Sequence, residues 1–275
     1  LRIVQISDTH ISAEHADFAD NAAVIGRAIA ELKPDLVINT GDLSMNGCIA
    51  PVDLERAADF HRSLGVPVLS VPGNHDVGDR PDIRADQVLD DARLAGFAEK
   101  AGPDRWIKDI PGWRLIGLNA MLFDTGHREE EAQFQWLEEA VATDAQIAVF
   151  LHKPLFIDTP DEGPRGYWTA RPDPRKRFLE IIGDRNLKLI ASGHLHIARE
   201  LVFDGVTHIW GPASSFVCGP MQEDLGGNRR IGLVAYTFFE DGFSHHFIYP
   251  AGAHDLQLDP VASRLYPSPR ATAAQ

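Results

Sequence analysis

Cysteine is nearly absent from this 275-residue sequence, with Cys48 and Cys218 as its only two. Two cysteines give no basis for a thiolate-ligated zinc site and little for a disulfide framework, so a reducing, cytoplasmic setting is the expectation. Long apolar runs are missing as well, and none approaches the roughly 20 residues that a membrane span needs. The N-terminus enters a strand pattern directly, without the charged start, apolar stretch and cleavage site of a secretion signal. Basic residues are in deficit, 26 against 40 acidic ones, for a formal net charge of −14. With no basic stripe to displace counterions, long nucleic acids are disfavoured as partners. A small phosphate compound stays in play, because bound cations would reverse the local sign. Internal repeats and low-complexity blocks are lacking too.

What the chain does contain is alternation. Apolar runs of strand length (2–7, 35–40, 67–71, 113–119, 147–151 and 187–192) are separated by helix-period segments near 18–33, 53–64, 131–142 and 174–185. The first of these places Phe18, Ala22, Ile25, Ile29 and Leu32 at near-helical spacing. Such alternation predicts an α/β domain with buried, largely parallel strands. Five of the strands run into polar clusters: Asp8-Thr9-His10, Gly41-Asp42, Gly73-Asn74-His75-Asp76, His152-Lys153 and Gly193-His194-Leu195-His196. Ligand sites of α/β sheets lie beyond the carboxyl ends of the strands, so all five clusters are delivered to one edge.

The chemistry of those residues is specific. Histidine, aspartate and asparagine offer nitrogen and oxygen ligands suited to zinc, manganese, iron or cobalt. Residues two apart in extended backbone share a face, so Asp8 and His10, and likewise His194 and His196, are expected to point at a common centre. A carboxylate can bridge two cations, and Asp42, alone after its glycine, is the natural bridge. Two such cations lower the pKa of a shared water, orient a phosphoryl group and neutralise its developing charge.

Together and in this order, these motifs resemble the full set of the calcineurin-like metallophosphoesterases, over some two-thirds of the chain. The resemblance implies a four-layer α/β/β/α sandwich of two mixed sheets flanked by helices. It implies that Asp8, His10 and His196 hold one metal, that Asn74, His152 and His194 hold the other, and that Asp42 is shared. His75 resembles the family's catalytic histidine, which stabilises the transition state or protonates the leaving group. Asp76 either caps a following helix or orients that histidine. Within the family, the chain is most similar to bacterial class III cyclic nucleotide phosphodiesterases and glycerophosphodiesterases. The implied activity is hydrolysis of small phosphodiesters by a metal-bridging hydroxide, with phosphomonoester or nucleotide pyrophosphate hydrolysis, or a non-catalytic metal-binding scaffold, as alternatives.

Two departures bear on the substrate. Lys153 stands where many such members carry a second histidine, and residues 156–174 form an insert rich in proline and glycine. Leaving directly from His152, this loop should hang near the metal edge, where Lys153, Arg165, Tyr167, Trp168 and Arg171 become candidates for substrate contact; packing on its own domain or on another subunit is the alternative. His208, near the end of a strand pattern, is a further candidate for lining the site. Strand patterns near 200–203, 206–210, 231–238 and 243–249 are expected to complete the second sheet, with hairpin turns at Asp204-Gly205 and Asp241-Gly242. The small-residue loop 211–215 is expected either to approach the metals or to serve as a plain connector. Residues 1–250 then form the metallophosphoesterase domain. Residues 251–275 form a C-terminal wrapping arm, an oligomer contact or a disordered tail.

Overall fold

The structure, a computed structural model, describes residues 1–265. In its first strand, β1 (Arg2–Ile6), every residue after Arg2 is buried, because both faces of the strand are covered. Ile3 points into a core between two sheets, whereas Val4 and Ile6 pack outward against helix α1 (Ala19–Leu32). The next strand, β2 (Leu36–Asn39), repeats the division, with Leu36 and Ile38 inward and Val37 outward. Period-two alternation of apolar residues with no polar face is how a strand between two covering layers reads.

After α2 (Pro51–Ser63) and β3 (Val68–Ser70) come the one-turn α3 (Asn74–Val77) and then α4 (Asp91–Ala101). The chain continues through β4 (Trp106–Ile110), β5 (Trp113–Leu118), α5 (Arg128–Ala140), β6 (Gln146–Leu151), α6 (Pro172–Ile182) and β7 (Leu187–Ser192). Two hairpins follow, β8 (Arg199–Phe203) with β9 (Val206–Trp210), then β10 (Leu233–Phe239) with β11 (Gly242–Ile248), before the short α7 (Ala262–Leu265). One sheet has the order β11-β10-β1-β2-β3 and the other β4-β5-β6-β7-β9-β8. The first is parallel over β1-β2-β3 and antiparallel over β11-β10-β1, and the second is parallel over β5-β6-β7-β9 and antiparallel at both edges, so both are mixed.

Phe134, Leu137, Phe178 and Ile182 of α5 and α6 pack on the outer face of the second sheet, against Ile116, Ile147, Val149 and Leu151. Helices therefore flank two packed sheets, the expected α/β/β/α sandwich. The sheets are also tied by polar bonds across their interface. Trp106 and Trp113 donate their indole N–H groups to the carbonyls of Ser70 (2.9 Å) and Phe239 (2.7 Å). Buried Gln5 donates to Thr40 Oγ1 and to the Ser192 carbonyl (3.0 Å each) and accepts from Tyr236 Oη (2.7 Å). Buried amides and indoles are tolerated there because each has a partner.

Two expectations need correction. The β10–β11 hairpin does not complete the second sheet: it pairs with β1 and extends the first, and only β8–β9 joins the second. Its turn also sits one residue early, since Gly242 already pairs with Phe239 and leaves Glu240-Asp241 as the loop. The other hairpin turns at Asp204-Gly205, both with positive φ (49° and 76°) as a tight two-residue turn requires.

Residues 251–265 lie back on the first sheet's helix layer. Asn21 and His254 exchange hydrogen bonds (2.8 and 2.9 Å), and Leu258, Val261 and Leu265 pack around Phe18, Met45 and Phe216. The remainder of the expected tail, 266–275, lies outside the described residues. Among the described residues no helix is long and apolar enough to cross a membrane.

Candidate metal centre

The loops after β1, β2, β3, β6 and β7 meet at one edge of the sandwich and bring seven ligand candidates together. Asp8, His10, Asp42, Asn74, His152, His194 and His196 are all buried. Three groups of ligand atoms, each spanning no more than 4.8 Å, link six of them and His75: Asp8, His10 and His196; His10, Asp42 and His75; and Asp42, His152 and His194.

The side chains converge for a different reason from the one expected. Asp8 (φ 52°), His10 (42°), Asp42 (52°), His194 (69°) and His196 (55°) are left-handed rather than extended. Among the described residues only eight non-glycine residues have positive φ, so five of them fall here. Each costs on the order of 1–3 kcal/mol and persists only where the surroundings over-determine it. Neighbouring glycines supply the room. A Cβ on Gly41, itself at φ +100°, would lie 2.5 Å from His152 Nδ1, and one on Gly73 would collide with the Asp42 carboxylate.

Main-chain carbonyls set the tautomers of the rings. The Nδ1–H of His152 donates to Thr40 (2.8 Å), and that of His196 to Phe216 (2.7 Å). His194 is reversed, with its Nε2–H donating to Tyr167 (2.9 Å). The nitrogens left over are His152 Nε2 and His194 Nδ1, 3.2 Å apart, two lone pairs aimed at each other. Only a proton or a cation between them makes that arrangement favourable. Similarly, His196 Nε2 lies 3.3 Å from His10 Nε2 and 3.2 Å from Asp8 Oδ1. One oxygen of Asp42, Oδ2, faces both groups, 3.2 Å from His152 Nε2 and 3.8 Å from His10 Nε2, while Oδ1 accepts from the His75 amide (2.8 Å).

The charges are tuned to match. Burial alone would raise Asp8, yet the imidazoles of His196 and His152 bring it down to about 2. Burial would raise Asp42 likewise, but His152 and His75 hold it well below the usual carboxylate value. Burial, reinforced by neighbouring imidazoles, drives His10 and His194 well below the ordinary imidazole value, so both rings are neutral. Asp8 Oδ1 and Asn74 Oδ1 are buried without a hydrogen-bond partner. Against burial, Asp42 raises His152 to about 9 and Asp8 raises His196, so these two rings hold protons that a cation would displace. Orphaned oxygens, imidazoles and ionised carboxylates are the donor set of a hard-to-borderline cation, and these His/Asp clusters fit a dinuclear metal site.

His75 lies beside this cluster, its ring edge-on to His10 at 4.8 Å and its Nδ1–H donating to Met45 O (2.8 Å). Asp76 does not orient that ring. Its carboxylate accepts from the amides of Gly73, Leu43 and Ser44 and from Ser44 Oγ (2.6–3.0 Å), which fills its four lone-pair positions. It therefore clamps the loop after β2 to the loop after β3, and also closes the first turn of α3 through Gly73.

Of the insert, only Tyr167 comes to the ligand cluster. Lys153 is buried and gives its charge to Asp79 at 2.6 Å. Arg165 faces Asp158 and Glu162 within the insert, at 3.6 and 3.5 Å. Arg171 pairs with Asp82 and Asp124. Trp168 packs against Ile157, Leu195, Ile197 and Trp210. His208 is not at this edge: it sits mid-strand in β9 against Phe156, lining a separate cavity of about 640 Å³ on the outer side of the second sheet. The loop 211–215 does approach, with Ser215 Oγ donating to the Asp8 carbonyl (2.6 Å). Asp79, Ser44 and the carbonyls of Thr40, Met45 and Phe216 carried no sequence signal, since each acts through a partner distant in the chain.

Comparison with known proteins agrees with this geometry. The family description "calcineurin-like phosphoesterase" matches residues 1–198. A probable cyclic nucleotide phosphodiesterase from Synechococcus is 28% identical over 72% of this chain and 74% of its own length. The human serine/threonine-protein phosphatase CPPED1 is also 28% identical, over 84% of this chain and 74% of its own. A dimetal phosphatase from Danio rerio shares the fold, with a TM-score of 0.62 at 14% identity over 93% of this chain and 98% of that one.

Proposed function

Because the chain belongs to the calcineurin-like phosphoesterase family, we propose that it hydrolyses small phosphodiesters of the cyclic nucleotide or glycerophosphodiester type. In this reading Asp8, His10 and His196 hold one cation, Asn74, His152 and His194 hold a second, and Asp42 serves both. The ligand chemistry suits iron, manganese, zinc or cobalt. When bound, such a pair supplies a water of lowered pKa and positive charge for the phosphoryl oxygens.

The observation that carries the diester over the monoester is the state of the nearby cations. A monoester dianion brings one more negative charge than a diester and is best met by unpaired cationic side chains. Here Lys153, Arg165 and Arg171 are each committed to carboxylates. A monoanion needs no such help.

The chain's own residues do the rest. The Met45 carbonyl fixes the His75 tautomer, so Nε2 is the nitrogen that meets substrate, stabilising the transition state or delivering a proton to the leaving oxygen. Asp76 holds the loop that carries it. Phe216, with its ring 4.7 Å from His10 and 4.5 Å from His196, screens that side of the centre from water. The two cysteines are both free and buried, and burial pushes their thiols up to about 12.

The likeness to CPPED1 favours a second reading, hydrolysis of phosphomonoesters. Initial rates on bis(p-nitrophenyl) phosphate and p-nitrophenyl phosphate, after reconstitution with Mn(II) and with or without chelator, separate the two. Faster, chelator-sensitive cleavage of the diester is expected. Faster monoester cleavage would transfer the assignment to a phosphatase, and no turnover with two ions bound would leave a metal-binding scaffold.

A further inference from the structure

Tyr167 is the one residue of the 156–174 insert that touches the ligand cluster, and it does so twice. Its main-chain carbonyl accepts the Nε2–H of His194 (2.9 Å), and its phenol oxygen accepts from Asn74 Nδ2 (3.2 Å). Both partners are candidates for the same cation, and none of the other group, Asp8, His10 and His196, has a hydrogen bond to the insert. The two contacts decide which atom each ligand presents. The carbonyl ties down His194 Nε2 and turns Nδ1 inward. The phenol tethers the amide nitrogen of Asn74, which leaves Oδ1, buried and without a partner, as the inward atom.

The tyrosine is itself firmly seated. Its ring lies 4.5 Å from that of His194, and Lys153 Nζ stands 5.1 Å from its centroid. The insert is closed by Ala170 N donating to Pro154 O (2.9 Å). Glu162 caps its first turn by accepting from the amides of Ile157 (2.8 Å) and Asp158 (3.1 Å). Buried Arg175 donates from α6 to the carbonyls of Leu155 and Glu162. This is a compact loop braced from both ends, able to hold a side chain in a fixed place.

We infer that Tyr167 is a positioning residue for one cation only, the one assigned to Asn74, His152 and His194, so that the insert sets the affinity of that half of the centre. The inference rests on the two-cation reading above. It deepens that reading by making the pair unequal: one half is built on the loops after the strands alone, and the other depends also on the 156–174 insert. Groups that orient metal ligands typically matter by 10–100-fold in affinity.

The test is a Mn(II) titration of the chelator-stripped full chain, wild type against Tyr167→Phe, followed by calorimetry and electron paramagnetic resonance. Phenylalanine keeps the ring and the carbonyl and removes only the phenol. The expected result is a second equivalent at least 10-fold weaker, a first equivalent unchanged, and a spin-coupled pair signal appearing only at higher Mn(II). Equal weakening of both equivalents, or of neither, would overturn the inference. Wild type that binds a single equivalent would instead overturn the two-cation reading, so the two failures are distinguishable. Arg165→Ala, in the same loop but directed at Asp158 and Glu162, should leave both equivalents as in wild type; a selective loss there too would assign the effect to the loop as a whole and reject the role of Tyr167.

Discussion

His75 differs from the other imidazoles of the centre in what its surroundings leave it to do. Burial draws it below the ordinary imidazole value while Asp42 pulls it back, and Met45 fixes the tautomer through Nδ1. Replacing it by alanine should leave two bound ions, because three protein ligands and a shared carboxylate remain for each. Hydrolysis of an alkyl phosphodiester should then slow by about 10²–10⁴. The loss should be smaller for bis(p-nitrophenyl) phosphate, whose nitrophenolate leaves with little need of a proton. Equal losses on the two esters, with the metal content checked by plasma emission, would assign His75 to charge stabilisation alone. The histidine itself was legible from its place in Gly73-Asn74-His75-Asp76. A capping role for Asp76 was legible as well, and it does accept from the Gly73 amide; its clamp on Leu43 and Ser44 was not, because those donors lie on a different loop and nothing in a linear sequence pairs the positions.

Among the elements, the strands that carry the centre and the helices α1, α2, α5 and α6 stood out because their apolar residues recur at periods of two or 3.6. Those that did not stand out lacked such a pattern. The edge strand β4 exposes Ile107, Lys108 and Asp109, and α4 buries little beyond Phe97. The sheet that received β10 could not be read locally either, since its register with β1 joins residues more than 200 positions apart, such as Gln5 with Val234. The insert was legible as a loop near the metals but not as a braced one. Its brace is Arg175, buried against the carbonyls of Leu155 and Glu162. Arg175→Met should preserve the sandwich but release the loop, so limited proteolysis is expected to cut within 156–171 several-fold faster than in wild type. An unchanged cleavage rate would show that Glu162 and the Pro154–Ala170 closure suffice.

For the molecule as a whole, two histidines outside the ligand cluster link folding to pH. Burial holds His61 and His208 down to about 4, against 6.5 in the unfolded chain. The unfolded state therefore binds more protons between about pH 6.5 and 4, and stability is complete above that window and falls as pH drops through it, by on the order of 3 kcal/mol per ring. His208→Phe, which keeps the packing on Phe156, should flatten the fall in urea midpoint between pH 7 and 5; a slope equal to wild type would place the proton uptake elsewhere. The left-handed backbone at Asp8, His10, Asp42, His194 and His196 has a different reach. At each of these five positions glycine is the residue best suited to the conformation and the worst suited to the chemistry. Relief of the backbone and possession of a ligand are therefore mutually exclusive at these five positions, and the conformational cost there is inseparable from the chemistry of the side chains it presents.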